Sequence, residues 1–265
     1  VCSEVFLVRH IHVSNLHIAN YKQTKFSIMK RAILLISILS LLSLSCSKEE
    51  SDQSRINLKV SAVNAEGLGS RSIMIKSGNN DNVVFTDFRI SIRDVVFKND
   101  DDSSSNLDTD EIRFRGPYQI DLLDNANALS QIIGNVVVPD GLYKELRFKF
   151  HKDEDLPVTD KLYDKSIYIE GTINDQPFIF WHDTSENLDV GRSTGVRVNG
   201  GMVDLTVQFD ISQFLNSLEQ IDLTDATNDN NNGIIEIYPN DQDGNQDMAK
   251  DLKDNIKETA DLINY

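Results

Sequence analysis

The chain has 265 residues, with 26 Lys and Arg against 42 Asp and Glu, five His and two Cys, for a net charge of −16. So acidic a balance excludes an ordinary nucleic-acid binder, because neutralising phosphates requires a basic surface. Two cysteines are too few for a disulfide scaffold or a Cys-rich zinc site, and the length suits one large domain or two small ones.

Residues 1–28 hold His10, His12 and His17 in a stretch with neither helical nor strand periodicity. They precede a complete export signal, so they read as an upstream extension ahead of an initiating Met29, and their histidines are not assembled into a metal site. The signal occupies residues 29–45: Lys30 and Arg31 form a positive start, and Ala32 to Leu44 form a 13-residue uncharged run. That run suits a secretory signal and falls short of the ~20 residues a spanning helix needs. Ser45 then precedes Cys46, and Ser47-Lys48-Glu49-Glu50-Ser51-Asp52 comes directly after it. The combination resembles a bacterial lipoprotein signal with Cys46 as the lipid-bearing residue. Its relaxed lipobox and the acidic run after the Cys are similar to those of Bacteroidota lipoproteins exported to the outer face of the outer membrane, with the periplasmic face as the alternative. Without residues 1–45 the remaining 220 carry 21 basic and 41 acidic groups, a net of −20.

Residues 46–54 are polar and predict a flexible tether, leaving 55–265 as a single domain. There, alternation dominates. Ile56, Leu58, Val60 and Ala62 recur at period two, as do Phe88, Ile90 and Ile92, then Tyr118, Ile120 and Leu122. Leu146, Phe148 and Phe150 continue the pattern, followed by Ile167 and Ile169, and by Val203, Leu205, Val207 and Phe209. Strands with one wet and one buried face alternate in this way, so the chain predicts a mainly β protein, an antiparallel β-sandwich of about seven to ten strands. The apolar phase slips at Asp94, from Ile90 and Ile92 to Val95 and Phe97, which predicts a β-bulge. Turns are expected at Val138-Pro139-Asp140-Gly141, Asn174-Asp175-Gln176 and Asn199-Gly200-Gly201. The acidic run Asn99–Asn106 reads as a hairpin tip. A short helix is expected at 211–218. A carboxy-terminal amphipathic helix is expected from Asp247, striped by Met248, Leu252, Ile256, Ala260 and Ile263.

Together the lipobox, the early alternating strand, Tyr118-Gln119-Ile120-Asp121-Leu122-Leu123, the Val138–Tyr143 turn leading into Leu146-Arg147-Phe148, and Ile169-Glu170-Gly171-Thr172-Ile173-Asn174 resemble a group of uncharacterised Bacteroidota surface lipoproteins. The resemblance implies an immunoglobulin- or transthyretin-like sandwich. None of its motifs is catalytic.

No GxSxG, P-loop, strand-linked GxGxxG or HExxH motif is present. His182 with Asp183 beside it would suit a base and its orienting carboxylate, but among 41 acidic residues such a neighbour is close to what chance supplies, so no catalytic residue is assigned. The oxygen-rich stretch Asn228–Glu236 places Asn228, Asn230 and Asn232 at alternate positions before Gly233, like the first half of an EF-hand loop. Position 12 falls on Pro239 instead of Glu. Two readings stand: a weak calcium site completed by Asp241 and Asp243, or a loop built by turn chemistry without metal. Trp181, facing away from Phe178 and Phe180, is the candidate ligand residue as a sugar-stacking ring. The expected role is a lipid-anchored, extracellular binding, adhesion or structural module without enzymatic activity. It has no nucleic-acid partner; the partners would be the membrane and an unidentified protein or glycan. The alternative is a glycan-binding or glycan-processing surface lipoprotein.

Overall fold

The computed structural model describes residues 54–63, 73–74, 82–99, 111–124, 127–215 and 220–264. The upstream extension, the export signal, Cys46, the tether through residue 53 and most of the acidic run after Asn99 lie outside the described residues.

Among the described residues the chain forms thirteen strands and one α-helix. The strands are β1 (Arg55–Val63), β2 (Ile73–Met74), β3 (Val83–Asn99), β4 (Glu111–Asp124), β5 (Asn127–Ala128), β6 (Ser130–Val137), β7 (Gly141–Phe150), β8 (Ile167–Ile173), β9 (Gln176–His182), β10 (Asn187–Val198), β11 (Met202–Asp210), β12 (Ile235–Ile237) and β13 (Ala260–Asn264); the helix is α1 (Gln246–Ile256). A small sheet has the order β13-β11-β1-β6, and a large one runs β10-β7-β3-β8-β9-β12, with β4 also paired to β3. One continuous apolar core joins them, with Ile56, Leu58, Leu205 and Phe209 from the small sheet and Phe85, Phe88, Phe178 and Phe180 from the large one.

The mainly β expectation holds, with two corrections. The strand count exceeds ten because β2 and β5 have two residues and β12 three, too few to carry a period. The sheets are also mixed: β1 runs parallel to β11, and β12 parallel to β9. Alternation reports which face is buried and is the same in both pairing senses, so it cannot distinguish them.

The 17-residue β3 is the axis of the large sheet. It pairs with β4 from Phe88↔Leu123 to Lys98↔Glu111, with β8 from Val83↔Ile173 to Ile90↔Ile167, and with β7 from Ile92↔Phe150 to Asn99↔Tyr143. The ladders to β4 and β7 both shift register between Ile92 and Asp94, which is the bulge the slipped phase predicts. Close approach of β8 to β3 requires Gly171, where a Cβ would stand 2.0 Å from the Val84 carbonyl oxygen. Between β7 and β8 the 151–166 excursion covers the outer face of the sheet. It buries Leu162, and its Asp160 pairs with Arg89 at 2.9 Å.

The turn at Asn174-Asp175 has φ of 50° and 66°, the pair of positive values that a two-residue type I′ hairpin demands. The Pro139-Asp140 and Gly200-Gly201 turns instead carry the chain from one sheet to the other, since β6 and β7 pair in different sheets, as do β10 and β11. Ser54, expected in the tether, belongs to the domain: it is buried, and its hydroxyl donates to Asp140 and accepts from the Gly200 N–H at 2.7 Å.

Both helical expectations change: residues 216–218 of the first lie outside the described residues, and the second is shortened. A 3₁₀ turn at Ile211–Gln213 leads into buried Phe214 and Leu215, where the Ile221 N–H closes on the Leu215 carbonyl at 2.9 Å. Helix α1 buries Ala249, Leu252, Asn255 and Ile256 but stops there, and Ala260 and Ile263 lie in β13. The Thr259 hydroxyl donates to the Ile256 carbonyl at 2.8 Å, and the open edge of β11 supplies backbone partners for β13.

Phe214 packs against Phe85, Phe88 and Phe180 at ring centroid separations of 5.9, 5.5 and 6.3 Å. Phe214→Ala is expected to cost about 3–5 kcal/mol by emptying that centre. In urea this reads as a lower midpoint with an unchanged slope.

Candidate functional site

Three places combine polar groups with a defined geometry. The first is made by the bulge. Where β3 skips Arg93 and β4 skips Gly116 and Pro117, a cavity of about 220 Å³ opens, closed on its far side by His151–Asp155. Gly116 is required there, because a Cβ would meet the Tyr118 nitrogen at 2.5 Å and the Ile92 carbonyl oxygen at 2.9 Å. Arg93, Lys152, Asp153 and Glu154 in this wall are already partnered. Lys152 reaches Glu154 at 2.9 Å and Asp164 at 2.8 Å, and Arg93 lies 3.6 Å from Asp94. Buried Asp153 accepts from Gln119 Nε2 at 2.8 Å and from the Asp155 N–H at 3.0 Å. The volume falls below the ~300 Å³ of the smallest usual ligand pockets. Sequence reasoning located the bulge but not the cavity, whose far wall comes from residues remote in the chain.

The second is the oxygen-rich loop. Asn230 Oδ1 accepts from the Asn232 N–H at 2.9 Å, and Asn232 Oδ1 from the Ile234 N–H at 2.8 Å, two successive Asx turns. Asp243, fully buried, accepts from the N–H groups of Asn230 at 3.1 Å and Glu236 at 2.9 Å. Asp241 accepts from the N–H groups of Asp243 at 3.0 Å and Asn245 at 2.9 Å. Asn228 Oδ1 is buried and accepts no hydrogen bond. The structure therefore brings Asn230 and Asp243 together and sets both carboxylates on backbone donors. Sequence reasoning missed Glu236, which accepts from Asn230 Nδ2 at 3.0 Å, and Asn245, which bridges the Thr227 and Glu236 carbonyls at 2.9 and 2.8 Å.

The third is the end of β9. Phe178 and Phe180 point into the core, and Trp181 is half-buried, stacked on Tyr238 with centroids 4.8 Å apart and planes 20° apart. Lys165 Nζ lies 5.6 Å from the Trp181 centroid. The indole thus already has two partners within the domain. His182 Nδ1 is buried without a hydrogen bond, 3.6 Å from Asp183 Oδ1 and beyond bonding range. Burial pushes its pKa down, which keeps the ring neutral. Beside it Glu186 accepts from Lys253 Nζ at 2.6 Å and from Lys257, fastening α1 to the sandwich.

Residues 81–239, more than half of the chain, match the family model described as a domain of unknown function (DUF4382). The chain belongs to this family. No curated protein and no solved structure matches it. The DUF4382 segment runs from β3 to β12 and holds the bulge cavity, Trp181 and the Asn-rich half of the loop. It stops before α1 and β13 and begins after β1, so two strands of the small sheet lie outside it.

Asp243→Asn places an amide N–H₂ against a backbone donor and is expected to cost roughly 1–3 kcal/mol. The loss reads as a lower Tm with chelator present as well as with millimolar calcium. The hydrogen bond and charge of Lys253 hold the Glu186 carboxyl below the usual glutamate range. Its contribution is therefore present above the unfolded-state value of ~4.3 and is lost as pH falls through the lowered folded-state value. Glu186→Gln is expected to flatten the loss of Tm as pH falls below ~4.3, relative to the parent, and to leave its slope near neutral pH unchanged.

Proposed function

We propose that the protein is a lipid-anchored envelope lipoprotein of the Bacteroidota type, held by Cys46 and displaying its sandwich outside the outer membrane as a binding, adhesion or structural module. The observation that carries this reading is the distance from anchor to fold. Eight residues separate Cys46 from Arg55, and Arg55 opens β1, an interior strand with nine register pairs to β11 and seven to β6. The Arg55 N–H donates to the Gly201 carbonyl at 2.8 Å, and Ser54 and Asp140 close the entrance beside it. Load arriving at the amino end of the domain is met by two ladders and a buried apolar face instead of a fraying edge. Three acyl chains on one cysteine supply anchoring well beyond the marginal hold of a single chain.

Cells expressing the full chain and grown with labelled palmitate are expected to label the protein, and Cys46→Ser to abolish the label. Protease added to intact cells is expected to degrade the wild-type domain. Label retained by Cys46→Ser would remove the anchor assignment, and a domain protected in intact cells would favour the inner face.

A further inference from the structure

We infer that Asn232 is a site of spontaneous covalent modification, whose side-chain amide closes on the Gly233 nitrogen to a succinimide that water opens to aspartate and isoaspartate. The chain's other Asn-Gly pair, Asn199-Gly200, is held unreactive by the fold. Both pairs lie in exposed turns in which the glycine has positive φ, 91° at Gly233 and 71° at Gly200. Glycine is the successor that hinders this closure least, because it has no Cβ and its backbone is permissive. At neither glycine does any atom lie within 4 Å of where a Cβ would stand, so steric access does not separate the two pairs.

Their hydrogen bonds do. The Gly200 N–H donates to Ser54 Oγ at 2.7 Å and to Asp140 Oδ1 at 3.1 Å. The attacking species is the glycine nitrogen without its proton. At Gly200, removing that proton gives up both bonds and sets a nitrogen anion against the Asp140 carboxylate. Among the described residues the Gly233 N–H donates no hydrogen bond. Asn232 is also arranged as the electrophile. Its Oδ1 accepts from the Ile234 N–H at 2.8 Å, and the turn closed by this bond contains both the side-chain carbonyl carbon and the Gly233 nitrogen. That N–H donor sits where negative charge gathers as the nitrogen adds.

The reaction needs only the chain and water. The Gly233 nitrogen bonds to Asn232 Cγ, the C–N bond to the side-chain nitrogen breaks, and that nitrogen leaves as ammonia with the proton Gly233 gave up. One water then adds at either imide carbonyl. Opening at one leaves aspartate at this position; opening at the other routes the backbone through Cβ, lengthening the turn that caps Ile234 ahead of β12. Either product adds a negative charge to a loop that already holds Asp229, Glu236 and Asp243.

The test holds the full chain folded in warm, mildly alkaline buffer. A protease that cuts after glutamate separates the two pairs at Glu219, and fragment-ion mass spectrometry follows amide-to-acid exchange at each. Asn232 is expected to convert about tenfold faster than Asn199 or more, the factor that goes with giving up a hydrogen bond to a charged group. In guanidinium, where local sequence alone acts, the two rates are expected to come within a few-fold of each other. Asn232→Gln is expected to remove the fast conversion. Ser54→Ala/Asp140→Ala, which deletes both acceptors of the Gly200 N–H, is expected to raise Asn199 towards the rate of Asn232 in the folded chain. Equal rates in the folded parent, or a preference for Asn232 that survives guanidinium undiminished, would overturn the inference. Asn199 that stays inert in a folded double variant overturns its protection by Ser54 and Asp140. The parent compared with and without guanidinium decides the matter even where the double variant does not fold.

Discussion

The small sheet exists because β1 is paired along both edges. Nine register pairs join it to β11 and seven to β6, and without it the sheet would separate into a β11–β13 pair and a lone β6. Its inward residues Ile56, Leu58, Val60 and Ala62 are all at most 1% exposed, so the strand also supplies the apolar floor on which the large sheet closes. β1 is at once the first strand among the described residues and a central one. A strand at a chain terminus usually frays; this one can leave the fold only by opening two ladders and wetting the core.

The large sheet answers to a second constraint, the length of β3. A strand this long cannot keep one flat register while a twisted sheet wraps a core, and the bulge between Ile92 and Asp94 takes up the difference. On either side of that point β3 has different neighbours, β8 before it and β7 after it. The 151–166 excursion fills the gap between them and buries Ser91. The same irregularity opens the cavity beside Arg93, so bulge, excursion and cavity share one cause.

Much of this was legible in the residues. The inward faces, the bulge and the Asn174-Asp175 hairpin all arise from local chemistry, and local chemistry is what a sequence records. What was not legible is non-local. The parallel partnership of β1 with β11 leaves the same alternation as an antiparallel one. The end of α1 at Ile256 depends on the free edge of β11, and the membership of Ser54 depends on Asp140 and Gly200, both remote in the chain. In the loop, the spacing of Asn228, Asn230 and Asn232 was visible, but the engagement of Asp241 and Asp243 by backbone N–H groups required the fold. Trp181 faces away from the core as alternation requires, and its partner Tyr238 comes from the far side of the Asn-rich loop.

Native-state hydrogen exchange resolved by peptide bears most directly on β1 as the strand that holds the small sheet together. Amides of Arg55–Val63 that are paired to β11 and β6 are predicted to exchange only through global unfolding, with the same free energy as those of central β3. Exchange of β1 at the rate of a frayed terminus, while β3 stays protected, would contradict it.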